Sequence, residues 1–159
     1  MNIEPPTPAD VAYVAEHMRQ RDRDEFMPLT HFETHTELVT SLTARFGRHP
    51  DCFVVFGEPG PVAVGGMLLH RPNVATLLFF ATDDFAKEGP AFTRFVKQRL
   101  FPGYADKGVH RIECQSLDGY EEVHRWLTVL GLWPEAIMKG FGRDGQTYVQ
   151  FSKTEKIDG

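Results

Sequence analysis

Apolar and polar positions follow two rhythms along this chain. Val11, Val14, Ala15 and Met18 recur three or four residues apart, the spacing of one helix face. Thr7-Pro8-Ala9-Asp10 announces that helix. Thr7 can cap it, Pro8 suits the first helical position, and Asp10 complements the positive end of the helix dipole. A short strand at Ile3-Glu4-Pro5 precedes it. Leu38, Leu42 and Phe46 repeat the helical spacing after Thr34, where Glu37 completes a capping-box pattern, and Gly47 ends the helix. Between the two helices lies RQRDRDEFMPLTHFE, polar apart from Phe26, Met27, Leu29 and Phe32. It is expected as a solvated loop, or as a lid or acceptor-side segment.

The rhythm then changes to runs of Val, Phe and Leu. CFVVFG, PVAVGGMLLH and VATLLFFA read as strands, with Glu58-Pro59-Gly60-Pro61 suited to a type II turn and Arg71-Pro72-Asn73 as the next turn. FTRFVKQRL returns to the helical pattern and is expected to stop near Pro102-Gly103. VHRIECQS is a further strand, reached through a helical crossover and hence parallel to VATLLFFA. Asp118-Gly119-Tyr120-Glu121 opens a last helix with a capping pattern. Tyr120, Val123, Leu127 and Leu130 line one of its faces, and Gly131 ends it. EAIMKGF and TYVQFS close the chain as a hairpin, Asp144-Gly145 favouring the tight turn. The order is strand, two helices, three strands, helix, strand, helix, two strands. This predicts an α+β fold with a mixed, mostly antiparallel sheet of about six or seven strands, flanked by about four helices.

Composition narrows the classes. A chain of 159 residues favours one domain, drawn at 1–152, with a loose tail from Lys153 to Gly159. Apolar residues at 42% and aromatics at 12% are enough for a core. A net charge of −5 argues against nucleic acid as a partner, which needs a basic face. Cys52 and Cys114 sit in apolar runs and read as buried, reduced thiols. MNIEPPTPAD has neither the basic nor the apolar region of a signal peptide, and no stretch reaches the length of a membrane span. These readings point to a cytoplasmic protein without a membrane partner.

Candidate chemistry centres on the segment after VATLLFFA. In Ala86-Lys87-Glu88-Gly89-Pro90-Ala91, small residues stand where a strand feeds a helix start. Backbone N–H donors and the helix dipole there suit a pyrophosphate, and the absence of bulk allows close approach. The plain alternative is that Gly89-Pro90 only starts a helix. His31 and His35 have helical zinc spacing, but the cap at Thr34 places them across a boundary, and no metal is expected. Asp83-Asp84 reads as the polar end of a strand, and Trp126 and Trp133 as core.

This element order, with the small-residue turn after the fourth strand, resembles the GCN5-related N-acetyltransferase (GNAT) fold. The opening from Ile3 to Asp10 resembles that family's start. The family's turn reads Gln/Arg-x-x-Gly-x-Gly/Ala; Gly89 and Ala91 match it, and Ala86 replaces the Gln or Arg. The last helix of the family ends Tyr-x-x-x-Gly-Phe; Gly131 matches, and Leu127 replaces the tyrosine. The ending, RWLTVLGLWPE with Phe141 to Gln146 and TYVQFSK, also resembles GNAT-fold proteins of short-tailed phages. Some of those are virion or assembly proteins.

The resemblance implies acetyl-CoA held between the fourth and fifth strands. Backbone groups at Phe80, Ala81 and Thr82 would meet the pantetheine arm, and the turn at Lys87, Glu88, Gly89, Pro90 and Ala91 would take the pyrophosphate. Losing the side chain at Ala86 removes a phosphate contact; Lys87 partly compensates, while Glu88 and Asp84 add opposing charge. Weakened binding of acetyl-CoA is expected. An amine acceptor, small or peptidic, would need a base: Glu25, Glu33, His70 and Glu113 are all candidates. Leu127 cannot supply the family's acid, so His124, one turn earlier, is the substitute candidate, against the plain reading of a solvated histidine. Two functions follow from the resemblance: an acyl-CoA-dependent N-acyltransferase with a degenerate site, or a non-catalytic binding or virion-associated module. A neighbouring pair of strands at 74–81 and 109–116 is the structural expectation.

Overall fold

The structure, a computed structural model, describes residues 1–154. Seven strands form one sheet in the order β1-β2-β3-β4-β5-β7-β6. They are β1 (Asn2–Glu4), β2 (Cys52–Gly57), β3 (Gly60–Arg71), β4 (Val74–Ala81), β5 (Arg111–Leu117), β6 (Trp133–Met138) and β7 (Tyr148–Thr154). The pairs β1–β2, β2–β3, β5–β7 and β6–β7 are antiparallel, and β4–β5 is parallel, as the intervening helix requires. The expected mixed α+β architecture is therefore present. The chain divides into two compact units: Met1–Leu68 with Leu78–Phe92, and Leu69–Leu77 with the chain from Thr93 onward.

In the first unit, α1 (Pro8–Glu16) and α3 (His35–Phe46) start as their sequences dictate. Thr7 Oγ1 accepts from the Asp10 N–H at 3.2 Å, and Thr34 Oγ1 from the Glu37 N–H at 3.2 Å. The Glu37 carboxylate reaches back to the Glu33 N–H at 3.4 Å. Val11, Val14 and Ala15 of α1 join Leu38, Leu42 and Phe46 of α3 in one core with Val54, Val64, Leu78 and Phe80. At ~25 cal/mol per Å², each fully buried aliphatic side chain here is worth about 1.5–3 kcal/mol against exposure. Gly65 is required by packing: a Cβ there would lie 2.6 Å from the Phe53 ring. The polar stretch expected as a loop instead forms α2 (Gln20–Phe26) and a 3₁₀ turn (Met27–Leu29). Its apolar islands explain the correction, because Phe26, Met27 and Phe32 pack on the core.

The second unit is built on β5–β7–β6 and its helices. A helical body opens in the first unit as α4 (Gly89–Phe95) and continues here through a π-helical turn (Val96–Leu100) into α5 (Phe101–Asp106). It therefore runs past Pro102, where the sequence pattern suggested a stop. Pro102 has no N–H for the Gln98 carbonyl, and the Phe101 N–H reaches back five residues to Val96. The helix α6 (Glu121–Val129) starts without a side-chain cap, against expectation: Tyr120 holds the cap position. Its far end follows the sequence. Leu132 N–H bonds the Leu127 carbonyl and Gly131 N–H the Thr128 carbonyl, each at 2.9 Å, with Gly131 at φ +93°. That is a Schellman closure, sealed by the burial of Leu127 and Leu132. Trp133, expected in the core, is 63% exposed on the edge strand β6. The strand β7 extends through Thr154, two residues into the segment read as tail; the remainder of that segment lies outside the described residues.

Candidate active site

β4 and β5 are neighbours, as expected, but their ladder is short. Val74, Ala75 and Thr76 pair with Arg111, Ile112 and Glu113, while β4 continues to Ala81 and β5 to Leu117. The last residues of β4 are held within the first unit. The buried Thr82 donates its N–H to the Val62 carbonyl at 2.9 Å. Phe80 is fully buried in the core.

The peptide groups flanking Ala81 are engaged by the start of α2. Arg19 N–H donates to the Ala81 carbonyl at 2.9 Å, and the Ala81 N–H donates to Asp22 Oδ2 at 2.9 Å. Asp22, only 9% exposed, also takes Nε and Nη2 of Arg19 at 3.0 and 3.1 Å. The guanidinium in turn lies 5.7 Å from the Phe79 ring centre and 6.0 Å from that of Phe85. A buried carboxylate thus has bidentate charge-assisted bonds and a backbone donor. Arg19 and Asp22 stand three apart in the polar stretch, a spacing that fits an ion pair on a helix turn. Nothing in the sequence marks Ala81, 59 residues on, as their partner.

The turn after β4 winds up earlier than its glycine suggests. Thr82 caps a 3₁₀ helix over Asp83–Glu88, its hydroxyl accepting from the Asp84 N–H at 3.3 Å. Gly89 is already helical at φ −50°, and its N–H is bonded to the Ala86 carbonyl. A Cβ on Gly89 would meet nothing within 4 Å, so packing does not demand glycine there. Lys87 and Pro90 are exposed, Glu88 and Ala91 half-buried. The Glu88 carboxylate lies 3.6 Å from the Met1 amino group, which offsets its charge.

His124, half-buried in the second unit, is not a solvated histidine. Its Nε2 lies 3.1 Å from Ser116 Oγ and 3.1 Å from the Leu117 carbonyl oxygen. A carbonyl can only accept, so the bond to Leu117 puts the hydrogen on Nε2. The ring also packs on Phe151 at 4.9 Å. Ser116, 1% exposed, was not singled out by sequence; only the topology sets it against His124. Leu127 is 3% exposed and belongs to the closure of α6. Trp126 is half-buried and donates to Thr93 Oγ1 at 3.0 Å.

Among the base candidates, Glu113 is paired with Arg71 at 2.9 Å and Arg111 at 2.7 Å. Burial pushes its carboxyl up, but the two arginines more than offset this and leave it below the usual carboxylate range. Such a carboxylate holds cations better than it accepts protons. Arg111 also pairs with Glu135 across to β6 at 2.5 Å. Glu25 sits half-buried on α2 in the first unit; Glu33 and His70 are exposed. Cys52 and Cys114 are buried and form no disulfide, and burial with the neighbouring Asp51 pushes the Cys52 thiol up to about 12, so it stays protonated. His31 is exposed, whereas both ring nitrogens of His35 are buried. Among the described residues no group of three His, Cys, Asp or Glu could hold a metal ion, and no helix is long and apolar enough to cross a membrane.

No family model matches the chain, and no curated protein sequence matches it. Solved structures do resemble it. An acetyltransferase of the GNAT family from Bacillus anthracis superposes with a TM-score of 0.71 at 16% identity, over 96% of this chain and 93% of that one. A ribosomal-protein-alanine N-acetyltransferase from Brucella melitensis gives 0.70 at 16% identity, over 98% and 100%. A spermidine N-acetyltransferase from Vibrio cholerae gives 0.70 at 11% identity, over 97% and 95%. The chain therefore has the fold of the GNAT acetyltransferases.

Proposed function

We propose that this chain is a cytoplasmic, GNAT-type N-acyltransferase-like protein that takes acyl-CoA weakly and transfers the acyl group slowly to an amine. The observation that supports it is the fold itself, shared end to end with N-acetyltransferases. Fold alone does not fix function. The residues define how much activity to expect. The space at Gly89 is open to an approaching group, but its N–H is bonded internally, and Leu127 offers no proton. Losing a general acid costs about 10²–10⁴-fold in rate.

A second reading is favoured by a separate observation, the engagement of both Ala81 peptide groups by Arg19 and Asp22. In the family such groups at the end of the fourth strand are expected to meet the pantetheine arm. A chain that fills them from within suits a non-catalytic binding or assembly module. Calorimetry with acetyl-CoA separates the two. Saturable binding that is lost in Gly89→Glu, with slow CoA release in the presence of an amine panel, supports the transferase. Absence of binding at millimolar acetyl-CoA decides for the module.

A further inference from the structure

The second unit also holds a cavity that the proposed acyl transfer does not use. It has a volume of about 330 Å³ and opens where α5, the start of β5, the end of α6 and the end of β7 meet. Its floor is apolar: Phe101, Val109, Ile112 and Leu130 are each less than a tenth exposed. Its rim carries Lys97, His110 and Lys153, and among the described residues no carboxylate lines it. In a chain of net charge −5, this local excess of positive charge stands out.

Backbone features shape the cavity. The π-helical turn Val96–Leu100 carries Lys97 and leads directly into Phe101. Such turns widen a helix locally and are frequent at functional sites. On the facing side, the Schellman closure of α6 bonds the Leu127 and Thr128 carbonyls, removing two acceptors that would oppose an anion. The absence of a side chain at Gly131 lets the Lys153 stem lie against that helix end, where a Cβ would come within 3.2 Å of Lys153 Cε.

We propose that this cavity binds a compact amphiphilic carboxylate, its apolar body on Phe101, Val109, Ile112 and Leu130 and its charge between Lys97, His110 and Lys153. The volume admits on the order of ten non-hydrogen atoms at ~30 Å³ each. Pockets of this size with an apolar lining and a few convergent polar groups are the usual form of small-molecule sites.

Octanoate is a suitable probe, titrated into the full, isotope-labelled chain while backbone amide resonances are followed. Saturable shifts confined to Phe101, Ala105, Val109, Ile112 and Leu130 are expected. Octylamine, of the same shape and opposite charge, should bind at least about tenfold more weakly, a change equal to ~1.4 kcal/mol. The double variant Lys97→Glu with Lys153→Glu should lose a similar factor for octanoate. Ala105→Trp, at an exposed helical position, should block the cavity while leaving the remaining resonances in place. Octanoate shifts that fail to saturate, shifts located elsewhere, or equal affinity for octylamine would each overturn the assignment.

Discussion

Two buried carboxylates, one in each unit, are paired with arginines to different ends. Asp22 takes both arms of Arg19 and also a backbone N–H, that of Ala81. Among the described residues Glu113 takes only side chains: Arg71, Arg111 and, at 3.4 Å, Gln150. A backbone donor cannot turn away to water when its acceptor is lost, whereas arginines near the surface can. Asp22 therefore fixes a helix start to the end of a strand. Glu113 neutralises charge on a sheet face and is held ionised by it. A buried acid is thus not by that fact a catalytic one; what faces it decides.

The comparison breaks most sharply at Asp22. Asp22→Ala should destabilise the chain by about 3 kcal/mol, because it strands the Ala81 N–H and the Arg19 guanidinium together. Urea denaturation checks this, and Asp22→Asn should recover part of the loss by keeping an acceptor for Ala81. A cost below that of Glu113→Gln would reverse the proposed contrast. Leu127→Tyr should cost about 1–3 kcal/mol through overpacking at the closed end of α6, with no gain in CoA release. A gain in CoA release by that variant would show that a hydroxyl at position 127 can act as the proton donor.

Glu113→Gln should cost about 1–2 kcal/mol near neutral pH, less than a fully buried pair because Arg71 is largely exposed. The sign of its pH dependence follows from its depressed folded value. Its contribution is present above the ordinary carboxylate range of about 4.3 and is lost as pH falls through the folded value. Melting curves across acidic pH should therefore converge for parent and variant. The smallest effect belongs to Gly89→Ala, where helical φ and open space predict a stabilisation of about 0.4–1 kcal/mol. A destabilised Gly89→Ala would mean that the turn is not helical at that residue.

Much of the framework was legible because its determinants are local. Thr7 and Thr34 cap the helices they precede, Gly131 closes α6, and the apolar runs became strands in the expected order. Spacing and capping act within a few residues, where sequence and contact coincide. The candidate chemistry depended on longer reach. Gly89 marked the helical region but not the 3₁₀ turn that begins it at Thr82, since a hydroxyl cap competes with glycine over where winding starts. RQRDRDEFMPLTHFE read as solvated because its polar majority hides three apolar anchors and one buried acid.

By itself the sequence determined the alternation of helices and strands and the parallel crossover into β5. Only tertiary structure decided that Asp22 reaches Ala81, that His124 gives its Nε2 to Leu117 and Ser116, and that Lys97 and Lys153 share a cavity. The physical reason is the same in each case. These partners lie far apart in the chain or on different elements, and which groups meet is set by how buried faces stack rather than by any residue's own preference.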